Sequence, residues 1–221
     1  MFQRCTHAMV VRTALVGLVA FGAAFFGGCR HRTTDRFAPY ETLAKDPRRD
    51  AETARRHNAR AVRLIEQGHL DDAEKELKTA LSADLFFGPA HNNLGTVYLR
   101  QEKYYLAAWE FQYAAKTMKD SPEPRYNLGM VYEAVARLDD AGHWYDEALT
   151  LAPDSVETTA GLARVRLQQG LRDDRTRELL ADLVLKDTRP EWTAWARKQL
   201  ALLGGANGPT PAAPPASLSA E

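Results

Sequence analysis

The sequence predicts an all-α fold, a solenoid of about four helical hairpins followed by one more helix. Three observations predict it: residue types recur with a 34-residue period, small residues hold the same place in each copy, and prolines separate the copies. The clearest markers are Gly95 and Gly129, which lie 34 residues apart in the matching segments Asn-Leu-Gly-Thr-Val-Tyr and Asn-Leu-Gly-Met-Val-Tyr. A fixed period of this length is typical of repeats that each form two antiparallel helices.

The first 28 residues have the pattern of a secretion signal. Arg4 and Arg12 precede an uncharged run over residues 13–28, and small residues close that run just before Cys29. This order of a basic region, an apolar region and a small-residue cleavage site predicts a signal peptide over residues 1–28. The run is shorter than the ~20 apolar residues that a membrane-spanning helix needs.

The end of this segment reads Phe26-Gly27-Gly28-Cys29 and resembles the lipobox of bacterial lipoproteins. The resemblance implies that Cys29 is lipidated and becomes the first residue, so that acyl chains hold the protein at a membrane. It also implies a location in the cell envelope, facing the periplasm. Arg30 stands where an Asp would act as an inner-membrane retention signal, which favours the outer membrane. The alternative is an uncleaved signal anchor, which does not explain a cysteine at this position.

A polar tether over residues 29–46 is predicted to lead into a repeat domain over residues 47–203. Asp46 and Pro47 predict the start of the first helix, because Asp caps helix N-termini and Pro suits the first helical position. The period places the copies at about 54–87, 88–121, 122–155 and 156–189. The matching positions hold Ala61, Ala73, Leu94, Gly95, Tyr98, Ala107, Phe111, Leu128, Gly129, Tyr132, Ala141, Tyr145 and, at the close of the third copy, Pro153.

This spacing of small and large residues resembles the tetratricopeptide repeat. The resemblance implies a right-handed superhelical solenoid in which each copy is a pair of antiparallel helices. Small residues such as Gly95 and Ala107 are expected where the helix axes cross, and the rings of Tyr98 and Phe111 beside the crossing. No copy buries its apolar face alone, so stacking of the copies closes the core.

Further signals divide each copy into two helices. Gly68 and Gly170 predict the turns of the first and fourth copies. Paired acids that follow Leu70 and Leu138 predict helix starts, because the helix dipole favours acids in the first turn.

The fourth copy departs from the period in its second helix. The period places Arg175 and Asp182 at sites that are small or apolar in the other copies. A shift of one residue places Thr176, Leu180 and Leu183 there instead. We therefore predict a degenerate last copy with an altered loop, as is common for terminal repeats.

A capping helix is predicted over residues 190–203. It carries Trp192 and Trp195 on one apolar face, a stripe that is expected to dock on the fourth copy. The other interpretation is that the two tryptophans form a partner-binding patch. Residues 204–221 are rich in Pro, Ala and Gly and are predicted to be disordered.

The composition argues against several function classes. The 221 residues carry 29 basic and 29 acidic side chains, so the net charge of zero gives no electrostatic basis for binding nucleic acid. Motifs such as G-x-S-x-G and H-E-x-x-H are missing, and the six histidines include no i, i+4 pair and have no cysteine partner. We therefore predict that the protein is not an enzyme and has no cofactor and no metal site. His91 lies on a first helix and is predicted to be partly packed.

In tetratricopeptide proteins the first helices line a concave groove, so the resemblance implies a partner-binding groove here. Asn93 and Asn127 recur at one phase of the repeat, where a side-chain amide could bond the backbone of an extended peptide. The other interpretation is that Asn is simply common at this site in the family. The basic clamp that grips chaperone C-termini is absent, since Asn58 and Glu123 hold its sites. The implied groove residues are Asn58, Val62, Asn92, Asn93, Thr96, Leu99, Arg100, Tyr126, Asn127, Met130, Glu133 and Arg164.

The function that follows from anchor and repeats together is that of a membrane-anchored scaffold or adaptor. It would bind proteins or peptides in the groove and support assembly of a cell-envelope complex. Lipidated tetratricopeptide proteins that it resembles include the pilotins of type IV pili. The alternative is a periplasmic module that binds glycan or peptidoglycan, or that organises an enzyme.

Overall fold

The computed structural model describes residues 49–204, and this part of the chain consists of α-helices and short connections. The predicted all-α solenoid of helical hairpins is confirmed. The predictions for the leader, Cys29, the tether, the cap at Asp46 and the tail lie outside the described residues. The helices are α1 (Ala51–Glu66), α2 (Leu70–Ala83), α3 (Gly88–Arg100), α4 (Tyr104–Thr117), α5 (Glu123–Ala134), α6 (Leu138–Leu151), α7 (Val156–Gln168), α8 (Asp174–Lys186) and α9 (Pro190–Gly204).

The first eight helices pack as four antiparallel hairpins, α1 with α2, α3 with α4, α5 with α6 and α7 with α8. Each hairpin turn contains one residue in the left-handed region, and these residues recur every 34 positions. They are Gly68 (φ 77°), Glu102 (φ 58°), Ala136 (φ 59°) and Gly170 (φ 78°). This conformation lets the chain reverse and satisfies carbonyls at the end of the first helix, as in the Schellman motif. The turns predicted at Gly68 and Gly170 are confirmed.

The helix starts at Leu70 and Leu138 are confirmed, each with two aspartates in the first turn. The predicted start of the first helix at Pro47 is wrong. Asp50 caps α1 by accepting the backbone N–H of Thr53 at 3.0 Å, so the helix begins later, at Ala51. Arg49 explains the difference, because it pairs in extended conformation with Asp84 at the end of α2.

Small residues lie at the helix crossings, as predicted. A methyl group on Gly95 would come within 2.7 Å of the Phe111 ring, and one on Gly129 within 2.5 Å of the Tyr145 ring. Both rings are completely buried. In the second and third hairpins the absence of a side chain at these positions therefore sets how closely the two helices approach.

The fourth hairpin has the predicted one-residue shift. Its turn spans residues 169–173, which is longer than the turns of the other hairpins. Thr176, Leu180 and Leu183 are fully buried, whereas Arg175 is exposed. Asp173 fixes this register because its carboxylate accepts the backbone N–H of Thr176 at 3.0 Å and so caps α8.

Helix α9 packs on α8 and covers the end of the apolar core. Trp192 is fully buried and Trp195 nearly so, with their rings edge to face at a centroid distance of 5.4 Å. The capping role is thus confirmed. The alternative, a partner patch made by these two rings, is wrong because the fourth hairpin already covers them. None of the helices within residues 49–204 is both long and apolar enough to cross a bilayer.

Candidate partner-binding groove

The predicted groove residues come from the first helices of the four hairpins, α1, α3, α5 and α7. The structure packs α1 against α3, α3 against α5 and α5 against α7. The four helices therefore form one continuous surface, and the predicted groove residues lie along it. Val62, Thr96, Leu99 and Met130 are half-buried there and remain reachable from solvent.

The asparagines of this surface are bonded to one another. Asn93 Nδ2 donates to Asn58 Oδ1 at 2.8 Å, and Asn127 Nδ2 donates to Asn92 Oδ1 at 3.1 Å. Asn92 Nδ2 donates in turn to Glu123 Oε1 at 2.7 Å. The amides thus couple neighbouring hairpins, which is a structural role that the sequence did not reveal. Contact of Asn93 or Asn127 with a peptide backbone stays a prediction.

Burial separates these amides into two kinds. Asn92 is 3% exposed and Asn127 is 7% exposed, so both lie at the floor of the groove. Asn58 and Asn93 are half-buried and lie nearer the surface. A partner would therefore reach the Asn58–Asn93 pair more readily than the Asn92–Asn127 pair.

Arg100, another predicted groove residue, also spans two hairpins. Its Nη1 donates to the carbonyl oxygen of Ile65 at 3.1 Å, near the C-terminal end of α1. A cation at that end interacts favourably with the helix dipole. Arg100 therefore helps to fix the position of α3 against α1.

A polar cluster around Glu133 of α5 and Arg164 of α7 lies at the end of the groove nearest the fourth hairpin. Arg164 Nη2 donates to Glu133 Oε2 at 2.6 Å, and Arg164 Nε donates to Oε1. Tyr145 donates its hydroxyl to Glu133 at 3.0 Å, and the ring of Tyr126 lies 5.8 Å from that of Tyr145. Burial raises the pKa of Tyr126 to about 12 and that of Tyr145 well above its ordinary value, so both phenols stay neutral. At this end of the groove the charges of Glu133 and Arg164 are therefore already paired with each other when a partner binds.

His91 is buried, and its packing was predicted. Its Nδ1 lies 2.6 Å from Glu110 Oε2, and its Nε2 lies 2.9 Å from the carbonyl oxygen of Leu85. The first hairpin contains the equivalent pair, His57 and Glu76, also at 2.6 Å. Sequence reasoning missed the two glutamates, although the 34-residue period relates one pair to the other. Within residues 49–204, no group of three His, Cys, Asp or Glu side chains is placed to hold a metal ion.

Sequence reasoning also missed an aromatic pocket between α4 and α5, on the side of α5 away from the groove. Its lining includes Tyr105 and Trp109, which are 80% and 63% exposed. Comparison of the copies with one another was the signal that could have found it, since the equivalent positions of the first and third copies are polar.

The comparisons with known proteins agree with this architecture. Residues 122–155, which include α5 and α6, match the family model of the tetratricopeptide repeat. No curated protein sequence matches the chain.

Among solved structures, PilF of Pseudomonas aeruginosa is 22% identical with a TM-score of 0.59, over 71% of this chain and 78% of that one. YrrB, described as a tetratricopeptide protein with an unusual peptide-binding site, is 20% identical with a TM-score of 0.57, over 74% and 87%. The first tetratricopeptide domain of Spaghetti (RPAP3), bound to an HSP90 peptide, is 22% identical with a TM-score of 0.53, over 56% and 97%. The chain thus shares the fold of tetratricopeptide proteins that bind peptides.

Proposed function

We propose that this chain is a membrane-anchored tetratricopeptide adaptor that binds protein partners in its groove and supports assembly of a cell-envelope complex. The observation that carries the proposal is the continuous surface formed by α1, α3, α5 and α7. It combines half-buried apolar side chains with polar groups, and this mixture suits an extended peptide. The solved structures of related fold whose descriptions mention a peptide or a peptide-binding site support the same conclusion.

The side chains of the groove indicate what kind of segment would fit. Val62, Leu99 and Met130 offer apolar contact, and Thr96 and Asn93 lie among them with polar atoms. Glu123 would repel an acidic C-terminus of the partner, and its carboxylate already accepts a bond from the amide of Asn92 at 2.7 Å. The proposed ligand is therefore an internal, extended segment with apolar side chains, bound mainly through its backbone and those side chains.

Support for the anchor comes from the sequence alone. Signal-like residues end at Cys29 in a lipobox-like context, and Cys29 precedes the first described helix by about twenty residues. A chain of that length between a lipidated cysteine and α1 leaves the groove free to meet partners near a membrane surface.

The groove is tested by blocking it with one bulky side chain. Thr96 is half-buried in the groove, and Thr79 is exposed on α2, yet both hydroxyls donate to the carbonyl four residues earlier. Thr96→Arg and Thr79→Arg therefore cost the helix a similar bond and differ in location. After crosslinking in cell envelopes, we expect wild type and Thr79→Arg to capture the same discrete protein and Thr96→Arg to lose it.

Each variant is also melted to show that it folds. If Thr96→Arg captures the partner as well as wild type does, the groove is not the binding surface. If no variant captures a protein while the purified chain sediments with peptidoglycan, the glycan-binding alternative replaces the adaptor.

The anchor is tested separately with Cys29→Ser. We expect wild type to fractionate with membranes and to have the intact mass of a chain that starts at an acylated Cys29. The variant should lack the acyl mass. If the masses of wild type and Cys29→Ser differ only by the substituted side chain, Cys29 is not lipidated. That outcome would not change the conclusion from the Thr96→Arg experiment.

A further inference from the structure

An exposed apolar patch begins at the start of α4. Tyr105 is 80% exposed, Trp109 63% and Leu106 44%, and Val135 at the end of α5 is 41% exposed beside them. Single exposed apolar residues are ordinary on protein surfaces, whereas a cluster that contains two aromatic rings points to a binding surface.

The other hairpins show that the fold does not need these side chains. The second helices of the first and third hairpins start in the same way, from an equivalent turn. At the three equivalent positions they carry only charged or polar residues. Where the second hairpin has Tyr105, Leu106 and Trp109, the first has Asp71, Asp72 and Lys75, and the third has Asp139, Asp140 and His143. The hairpin fold therefore does not require apolar side chains at Tyr105, Leu106 and Trp109, and their presence points to a binding role.

The rings surround a pocket of about 390 Å³ between α4 and α5. Tyr104, Tyr105, Trp109 and Tyr132 contribute aromatic walls. Gln112 also lines the pocket and donates from its amide to the Tyr132 hydroxyl at 3.0 Å. Most of these lining residues come from α4, and those of α5 lie on the side of that helix away from the groove residues. The pocket and the groove are therefore separate sites.

Pockets lined by aromatic side chains, with polar groups such as the Gln112 amide at their edge, are the kind that recognise polyproline II segments. After α9 the sequence reads Pro209-Thr210-Pro211-Ala212-Ala213-Pro214-Pro215, and a composition this rich in proline favours the polyproline II conformation. Pro211 and Pro214 are three residues apart, so they fall on one face of a helix with three residues per turn. A polyproline II helix of this sequence would present two pyrrolidine rings on that face, and such rings fit between aromatic side chains.

The segment can reach the pocket from where α9 ends. Helix α6 separates α5 from α7 in the chain, and α8 separates α7 from α9. Because neighbouring helices are antiparallel, α5, α7 and α9 run in the same direction, and Gly204 lies at the same end of the stack as the C-terminal end of α5. Arg164 of α7 lies 5.7 Å from the Trp192 ring of α9, so α9 follows α7 in this stack. Helix α5 packs on α7, and α7 reaches α9 through the contact of Arg164 with Trp192, so α5 and α9 are about two helix spacings apart, roughly 20 Å. The seven residues from Gly204 to Pro211 span about 22 Å at ~3.1 Å per residue.

We infer that the proline-rich segment 209–215 of this chain docks in the aromatic pocket between α4 and α5. The contact is intramolecular and places the residues after α9 against the second and third hairpins. It does not depend on the proposed adaptor function, because the pocket and the groove lie on different sides of α5.

Disulfide trapping in the full chain tests this contact. Ala213→Cys places a thiol within the segment, and Val135→Cys places one at the pocket, with Cys5 and Cys29 replaced by Ser. Gln169→Cys is the matched control, since residue 169 is the equivalent of 135 one repeat later and nearer in the chain to the segment. Under mild oxidation we expect the within-chain disulfide to form at least about 10-fold faster with Val135→Cys than with Gln169→Cys.

Two further changes make the trapping specific to the pocket and the motif. Trp109→Ala should lower the Val135→Cys rate to that of the control, and so should the double change Pro211→Ala with Pro214→Ala. Ser217→Ala, which alters the chain after the motif, should leave the rate unchanged.

Equal rates at residues 135 and 169 would overturn the inference, and so would a rate that is insensitive to Trp109→Ala. A disulfide between two chains in place of the within-chain product would assign the pocket to a second copy and overturn the intramolecular contact. Thermal melts of each variant show that altered rates do not come from unfolding.

Discussion

Arg164 and Glu133 form a two-point ion pair that joins α7 of the fourth hairpin to α5 of the third. The two side chains are only 9% and 12% exposed. Tyr145 donates a further bond to the same carboxylate at 3.0 Å. On its other side the guanidinium of Arg164 lies 5.7 Å from the ring of Trp192 in the capping helix. One charged pair therefore connects the third hairpin, the fourth hairpin and the cap.

Removing one partner of this pair should destabilise the domain strongly. Glu133→Gln leaves Arg164 charged, nearly buried and without its counter-ion, a change that typically costs about 3–5 kcal/mol. We expect urea denaturation to show a loss of this order. The exposed pair of Arg55 and Glu52 supplies the control, and Glu52→Gln should leave the free energy of unfolding unchanged within error. A double change, Glu133→Leu with Arg164→Met, should recover part of the loss, because it removes both buried charges.

Two glycines within helices should respond in opposite directions to the same added methyl group. At Gly129 the methyl would lie 2.5 Å from the Tyr145 ring, so Gly129→Ala should destabilise the domain by about 1–3 kcal/mol. At Gly142 it would meet only Val165, at 3.8 Å, so Gly142→Ala should raise stability by up to about 1 kcal/mol through helix propensity. Both values come from the same denaturation experiment. Destabilisation by both changes would mean that helix spacing is set by more than the Tyr145 contact.

The period alone was enough to predict the hairpins. Gly95 and Gly129 set the register of the second and third copies, and that register led directly to the crossings with Phe111 and Tyr145. The period also revealed the shift in the fourth copy. It places Arg175 at a core position, where a charged side chain is unfavourable, whereas a shift of one residue places Thr176 there. Periodic packing constraints of this kind are local and repeated, so a single sequence contains them several times.

Features that depend on contacts between hairpins could not be predicted. Asp46 and Asp50 are equally good N-caps by residue type, and only the pairing of Arg49 with Asp84 decides between them. The groove asparagines bond at a separation of 35 residues, one more than the period, because adjacent first helices are offset. The sequence identified Asn93 and Asn127 as recurring but gave no sign that their amides would bond within the chain.

The left-handed turn residues offer a route to higher stability. Ala136 has φ 59°, a conformation that costs an L-residue with a Cβ roughly 1–2 kcal/mol, and Gly68 and Gly170 hold the equivalent position in other hairpins. Ala136→Gly should therefore raise the free energy of unfolding by about 0.5–1 kcal/mol, after the larger chain entropy of glycine is allowed for. The control is Ala59→Gly, at an exposed position inside α1, which should lower it by about 1 kcal/mol. If both changes destabilise, the turn is not strained at residue 136.

The cap of α8 should make stability depend on pH at acid values. The carboxylate of Asp173 accepts the backbone N–H of Thr176 at 3.0 Å and two bonds from Arg166, which together lower its pKa to about 2. A pKa depressed in the folded state means that the stabilisation is fully present above the ordinary carboxyl value of about 4 and is lost as the pH falls toward 2. Asp173→Asn keeps a capping oxygen but carries no charge, so wild type should melt roughly 2–4 °C higher at pH 7. We expect this difference to begin to shrink below pH 4, where the carboxyl of the unfolded chain takes up a proton while folded Asp173 is still charged, and to be smallest near pH 2. Melting curves from pH 7 to pH 3 would contradict the assignment if the difference stayed constant throughout.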